Sequence, residues 1–209
     1  MGLATWRRTL AGAALVVLAA ALGGCAPLLQ TAEGRAADAA WEARRTALAQ
    51  LTTWRALGRL SLQSPEQAWH AGLLWAEDAG GYRVRLSGPL GQGAVEIQGE
   101  PTGITLRTAR GESYAATDAE TLMRQILGWS VPLAGLRYWI LGLEDPAAEP
   151  ARRSLDPAGR PLTLRQAGWE VRYLAYLPAG PVDLPGRLDL ERGDLKARVV
   201  INRWDLGPQ

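Results

Sequence analysis

The chain has 209 residues, 47% of them apolar and 21% charged, with one cysteine, one histidine and a formal net charge of +2. A single cysteine excludes an intrachain disulfide framework, and the length suits one domain with a sizeable core. Both surplus charges fall in the first 24 residues; beyond them stand 21 basic and 21 acidic side chains with no run of five like charges, so nothing marks a nucleic-acid partner.

Residues 1–24 read as an export leader. Arg7 and Arg8 precede an uncharged apolar run from Leu10 to Leu22, and small residues follow at Gly23-Gly24. The run is too short for a comfortable transmembrane helix, which takes about 20 apolar residues. Leu22-Gly23-Gly24-Cys25 resembles the bacterial lipobox, in which the cysteine is acylated and becomes the N-terminus after cleavage. The other reading is an ordinary secretory signal with an unpaired cysteine. Arg7-Arg8 also loosely resembles a twin-arginine signal, although paired arginines occur in ordinary leaders. Ala26 stands where an aspartate usually retains lipoproteins at the inner membrane, so the outer membrane is the expected destination. The mature chain of 185 residues then divides into a lipidated, flexible tether over 25–37 and a single domain over 38–209.

The spacing of Trp41, Leu48 and Leu51 predicts a helix from Asp38 to Leu51. Strands follow. Leu60 and Leu62 alternate with Arg59, Ser61 and Gln63; Trp69, Ala71, Leu73 and Trp75 share a face; Tyr82, Val84 and Leu86 alternate with Arg83 and Arg85. Val95 and Ile97, then Ile104 and Leu106, continue the pattern between Gly/Pro turns, which predicts an antiparallel meander with one wet and one covered face. Thr117 and Glu120 have capping-box spacing before the helical stripe Leu122, Met123, Ile126, Leu127, and Gly128 suits its end. A second helix opens at Pro132 and aligns Leu133, Leu136 and Ile140. Residues 144–161 read as a long loop with an optional edge strand. Strands then run over Pro161–Gln166, Trp169–Leu177, Arg187–Leu190 and Lys196–Trp204, with a connecting loop from Pro178 to Pro185. The expected fold is α+β, mainly β: a curved antiparallel sheet of about 10–11 strands, capped on its apolar face by two or three short helices. Eight tryptophans past the leader, with no phenylalanine, suit either a packed core or a membrane-facing rim.

The segment Gly128-Trp129-Ser130-Val131-Pro132-Leu133-Ala134-Gly135-Leu136-Arg137-Tyr138-Trp139-Ile140-Leu141-Gly142 resembles the central signature of the LolB family. Tyr82–Leu86 running into Gly88-Pro89-Leu90-Gly91 is similar to the family's strand and following turn, and Gly111–Tyr114 with Asp118–Glu120 is similar to the approach to its central helix. The family's next proline comes late here, at Pro146. This resemblance implies an incomplete β-barrel with a helical lid over an apolar cavity, a monomer without catalysis or cofactor. The implied role is to receive lipoproteins from the periplasmic carrier LolA and insert them into the inner leaflet of the outer membrane. Implied site residues are Cys25 for lipidation, and Leu90 with its neighbours Pro89 and Gly91 for insertion among outer-membrane phospholipids. Candidate positions for acyl-chain contact are Leu60, Leu62, Leu73, Trp75, Val84, Leu86, Val95, Ile97, Leu122, Ile126, Leu133, Leu136 and Ile140. The competing reading is a structural envelope lipoprotein whose apolar face binds a partner protein.

Chemistry-bearing motifs are sparse. His70 falls on the strand face opposite the tryptophans, no serine sits in a nucleophile elbow, and no Cys/His/carboxylate set has metal-ligand spacing. Gly91-Gln92-Gly93 is too short for a phosphate loop. Asp118 and Glu120 sit at a helix start, where acids suit the dipole.

Overall fold

A computed structural model of the chain describes residues 32–88 and 93–207. Contacts divide the chain after Arg35; the unit from Ala36 to Gln209 holds the sheet, and of the other unit only the first turn of one helix is described. That helix, α1, spans Ala32–Leu48. It starts ahead of the expected Asp38, so the stretch read as tether is helical from Ala32 on. Its buried side chains, Trp41 and Leu48, lie two turns apart on one face.

Eleven strands follow: β1 (Trp54–Gln63), β2 (Ala68–Asp78), β3 (Gly81–Ser87), β4 (Val95–Glu100), β5 (Gly103–Thr108), β6 (Ser113–Ala116), β7 (Arg152–Leu155), β8 (Pro161–Gln166), β9 (Trp169–Ala179), β10 (Val182–Arg192) and β11 (Leu195–Leu206). Between β6 and β7 come α2 (Ala119–Leu127) and α3 (Leu133–Trp139). All described pairings are antiparallel, in the order β6-β5-β4-β3-β2-β1-β11-β10-β9-β8-β7. First and last strands meet in the middle, and two meanders run outward from that pair. Strands β6 and β7 are the edges, so the sheet is open and the barrel incomplete. The mainly β architecture expected from the alternation is the one found.

Alternation decides the faces. Leu60, Leu62, Leu73, Trp75, Val84, Leu86 and Ile97 turn inward and are buried, and their sequence neighbours turn out. In register across β3, β2, β1, β11 and β10, one outward row reads Ser87, Gly72, Arg59, Val200, Arg187. The adjacent row, from β5 to β11, reads Arg107, Glu96, Arg85, Leu74, Leu57, Arg203. Seven of the eight tryptophans past the leader are buried and Trp69 is half-buried. They serve the core rather than an exposed rim; Trp54, for instance, packs on Trp75 and Trp204 with ring centroids 5.9 and 5.5 Å away.

Two local expectations change. Asp118, not Thr117, caps α2, its carboxylate accepting from the Glu120 and Thr121 amides at 3.2 and 2.9 Å; aspartate caps at least as well as threonine and adds its charge to the favourable end of the dipole. The loop expected over Pro178–Pro185 is instead a tight hairpin in which β9 and β10 pair down to Ala179 and Val182. Pro185 fits within β10 because the register shifts beside it, which spares a ladder bond. Short strands β6 and β7 flank the helices, β7 being the edge strand left optional in the 144–161 loop.

Candidate functional site

The two short helices and the stretch between them close the inner face of the sheet. Gly128 takes a left-handed conformation (φ 78°) and returns its amide to the Arg124 carbonyl, ending α2. The chain then drops Trp129 and Val131 into the hollow before Pro132 starts α3. Leu133, Leu136 and Ile140 face the sheet, as their spacing predicts.

Under this cover lies a cavity of about 20 Å³, lined by Leu60, Leu73, Trp75, Val84, Leu86, Ile97, Met123, Trp129, Val131, Leu133, Leu136, Ile140 and Val199. Five adjacent strands, β4 to β1 and β11, contribute to a space about one water across, so the sheet wraps tightly round the helices. Nine of the thirteen candidate positions line it. Leu62, Val95 and Leu122 are buried in the surrounding core and Ile126 is half-buried beside it. Met123, Trp129, Val131 and Val199 line the cavity without having been singled out. Val199 was legible from its alternation with Ala197 and Ile201. Trp129 and Val131 lie between helices, where no periodicity applies.

One ion pair ties the cover to the sheet. Arg137 of α3 binds Glu77 at the end of β2, whose side chain is only 5% exposed. Trp75 Nε1 donates to the same carboxylate at 3.4 Å. Burial pushes the Glu77 carboxyl above its usual range, and the Arg137 charge opposes that shift. The far end of α3 is pinned differently. Trp139 Nε1 donates to Gln166 Oε1 at 3.0 Å, and the Tyr173 hydroxyl donates to the Trp139 carbonyl at 3.0 Å.

Cys25, Pro89, Leu90 and Gly91 lie outside the described residues. His70 is exposed on the outward face, its Nδ1 3.0 Å from the Ser61 hydroxyl, and among the described residues no carboxylate hydrogen-bonds to it. Among the described residues no group of His, Cys, Asp and Glu could hold a metal.

The sequence matches the family described as outer membrane lipoprotein LolB over residues 52–204. The chain belongs to the LolB family. The outer-membrane lipoprotein LolB of Nitrosococcus oceani is 41% identical over 186 residues, covering 89% of this chain and 92% of the relative. That of Alkalilimnicola ehrlichii is 40% identical over 202 residues, 97% and 98% of the two chains. Among solved structures, a LolA-superfamily protein of Nitrosomonas europaea superposes with a TM-score of 0.53 at 10% identity, over 83% of this chain and 94% of its own. A lipoprotein-sorting protein domain of Vibrio parahaemolyticus gives 0.51 at 9% identity, over 84% and 93%. These two share the fold. The LolB assignment places the chain among lipid-anchored outer-membrane proteins that localise other lipoproteins, and it is not an enzyme.

Proposed function

We propose that the chain accepts the acyl chains of lipoproteins from the periplasmic carrier LolA beneath α2 and α3, and passes them to the inner leaflet of the outer membrane. The observation that carries this reading is the wholly apolar lining of a hollow whose cover is two short helices. Exposing a 16-carbon acyl chain to water costs about 12 kcal/mol, at ~0.8 kcal/mol per methylene, so cargo crosses an aqueous compartment only under cover.

At about 20 Å³ the hollow has no room for an acyl chain, and cargo has to displace the helices. The cover contributes Met123, Trp129, Val131, Leu133, Leu136 and Ile140 to the lining. At roughly 2 kcal/mol per side chain, exposing all six costs roughly 12 kcal/mol. That equals the gain from one acyl chain. Entry is therefore close to an exchange of apolar contacts, which lets cargo enter and leave without nucleotide hydrolysis. Cys25, acylated, holds the domain at one leaflet, and Leu90, three residues past the end of β3, eases cargo into the bilayer.

The test is transfer of a fluorescently labelled lipoprotein from its soluble carrier to this protein, followed by delivery to vesicles. Transfer is expected with the native chain, and Leu90→Glu is expected to accept cargo yet deliver it poorly. A well-folded protein that takes no cargo would instead support the structural-lipoprotein reading, in which the closed hollow is ordinary core.

A further inference from the structure

The outward face of the sheet has no part in the cavity, and its charge is unevenly placed. Its two central rows hold five arginines (Arg59, Arg85, Arg107, Arg187 and Arg203) and one carboxylate, Glu96. Glu96 is engaged by Arg83 at 3.8 Å and Arg203 by Asp205 at 3.0 Å. Arg59, Arg85, Arg107 and Arg187 are exposed and have no ion-pair partner among the described residues. Since the chain past residue 24 is balanced at 21 basic and 21 acidic residues, this surplus is offset elsewhere on the molecule.

The ground between the arginines is apolar. Gly72, Leu57 and Val200 are half-buried, Leu74 is 37% exposed, and Leu174, on β9 beyond Arg187, is 50% exposed. Leu74 and Leu174 are two of the three large apolar side chains exposed among the described residues. Arg59 and Arg187 stand two strands apart, about 9.5 Å. Basic side chains spread over a sheet face with aliphatic residues between them suit a continuous plane of phosphates better than a single ligand. Arginine binds such oxygens in forked pairs, and the aliphatic residues tolerate the headgroup boundary.

We infer that the outward face around Arg59, Arg85 and Arg187 is a docking surface for an anionic phospholipid bilayer. The length of chain ahead of the domain favours this occupant. Seven residue steps separate Cys25 from Ala32, at most about 25 Å even fully extended. An acylated Cys25 thus keeps the domain within a few nanometres of the headgroups, where each exposed base gains on the order of 1 kcal/mol from an anionic surface. This step rests on the anchoring proposed above, not on the acceptance of cargo.

The test uses the mature chain carrying Cys25→Ala, which removes the acyl contribution, in flotation with vesicles of phosphatidylcholine alone or with 30% phosphatidylglycerol. Binding is expected only to the anionic vesicles and is lost at 0.5 M salt. Each of Arg59→Gln, Arg85→Gln and Arg187→Gln lowers partition about fivefold, and together about a hundredfold, whereas Arg→Lys at the same positions keeps most of it. Equal binding to both vesicle types, or a triple Gln variant that floats like its parent, overturns the inference. So does a triple variant that keeps vesicle binding but takes less cargo from the soluble carrier, because the face then serves an acidic protein. Unchanged cargo acceptance with lost flotation supports it. Failure of cargo acceptance in the parent chain would count against the cavity reading alone.

Discussion

The two halves of the sheet are closed by different forces. The β1–β6 half, with α2 and α3 over it, is held by side chains that offer one another almost no hydrogen bonds: thirteen residues line its hollow, all apolar, twelve from this half and its cover and one, Val199, from β11. The β7–β11 half is pinned by polar contacts in the core. Gln166, 3% exposed, accepts from Trp139 Nε1 and the Asp145 amide at 3.0 and 2.8 Å, and donates to the Asp145 and Glu149 carbonyls at 2.9 and 2.8 Å. Tyr173 and Tyr176 each donate to a backbone carbonyl, and Trp204 Nε1 donates to that of Pro185 at 3.0 Å. Apolar contacts have no preferred direction and can be exchanged for a lipid chain at nearly constant energy. Directed bonds cannot, because each broken one strands a buried polar group. On the proposed reading, one half opens to cargo and the other supplies the frame. Helix α3 belongs to both, since Leu133 and Leu136 lie over the hollow and Trp139 is fastened to the frame.

The sharpest break in that contrast is Gln166→Leu. It leaves the Trp139 indole, the Asp145 amide and two carbonyls without their partner, and should cost about 3–5 kcal/mol. The measurement is urea unfolding with an unchanged slope. A loss below 1 kcal/mol would mean that the frame is not pinned by this residue.

A matched pair of truncations comes next. Leu188→Ala, at 0% exposure in the frame, should cost about 3–5 kcal/mol, because its surroundings cannot collapse. Leu136→Ala, at the hollow, should cost about 2 kcal/mol if the cover settles into the space. Leu136→Ala should also admit a small apolar probe such as xenon, visible by NMR shifts. Equal costs would show that the cover is as rigid as the frame.

Much of this division was legible in the sequence, for physical reasons. Period-2 alternation placed six of the lining residues, and the Leu133, Leu136, Ile140 spacing placed three more in the cover, because burial on one face leaves a periodic trace. Contacts between distant segments leave none. Nothing in Glu77 or Arg137, 60 residues apart, announced that they would meet, and Gln166 looked like the last polar residue of a strand until it proved to be buried. The early start of α1 was missed for another reason: Ala32–Ala37 contains two glycine and arginine positions, Gly34 and Arg35, and little apolar stripe to read. The closeness of the Pro178–Pro185 turn was missed because Pro178, Pro181 and Pro185 suggested a loop, whereas Pro178 sits in the β9–β10 ladder and the register shift beside Pro185 makes room for that residue.

The smallest effect separates the two partners that join cover to sheet. Arg137 is 38% exposed and Glu77 only 5%. Removing Arg137 strands a buried carboxylate, so Arg137→Gln should cost about 1–3 kcal/mol at pH 7, less than a fully buried pair would because water already screens the guanidinium. Removing Glu77 strands only a half-solvated guanidinium, so Glu77→Gln should cost under about 1 kcal/mol. The pH dependence follows from the raised carboxyl of Glu77, set by burial and opposed by Arg137. A carboxyl held above its unfolded value binds its proton more readily in the folded state, so its contribution is fully favourable below pH 4.5 and is lost as pH rises through the folded value. Native protein should therefore lose stability relative to Glu77→Gln as pH rises from 4.5. The deficit of Arg137→Gln should shrink on acidification toward the same point, as the stranded carboxyl takes up its proton. Chemical unfolding at half-unit pH steps measures both. Parallel curves for all three proteins would show that Glu77 titrates as freely as a surface carboxylate, and that the cover is held by its apolar contacts alone.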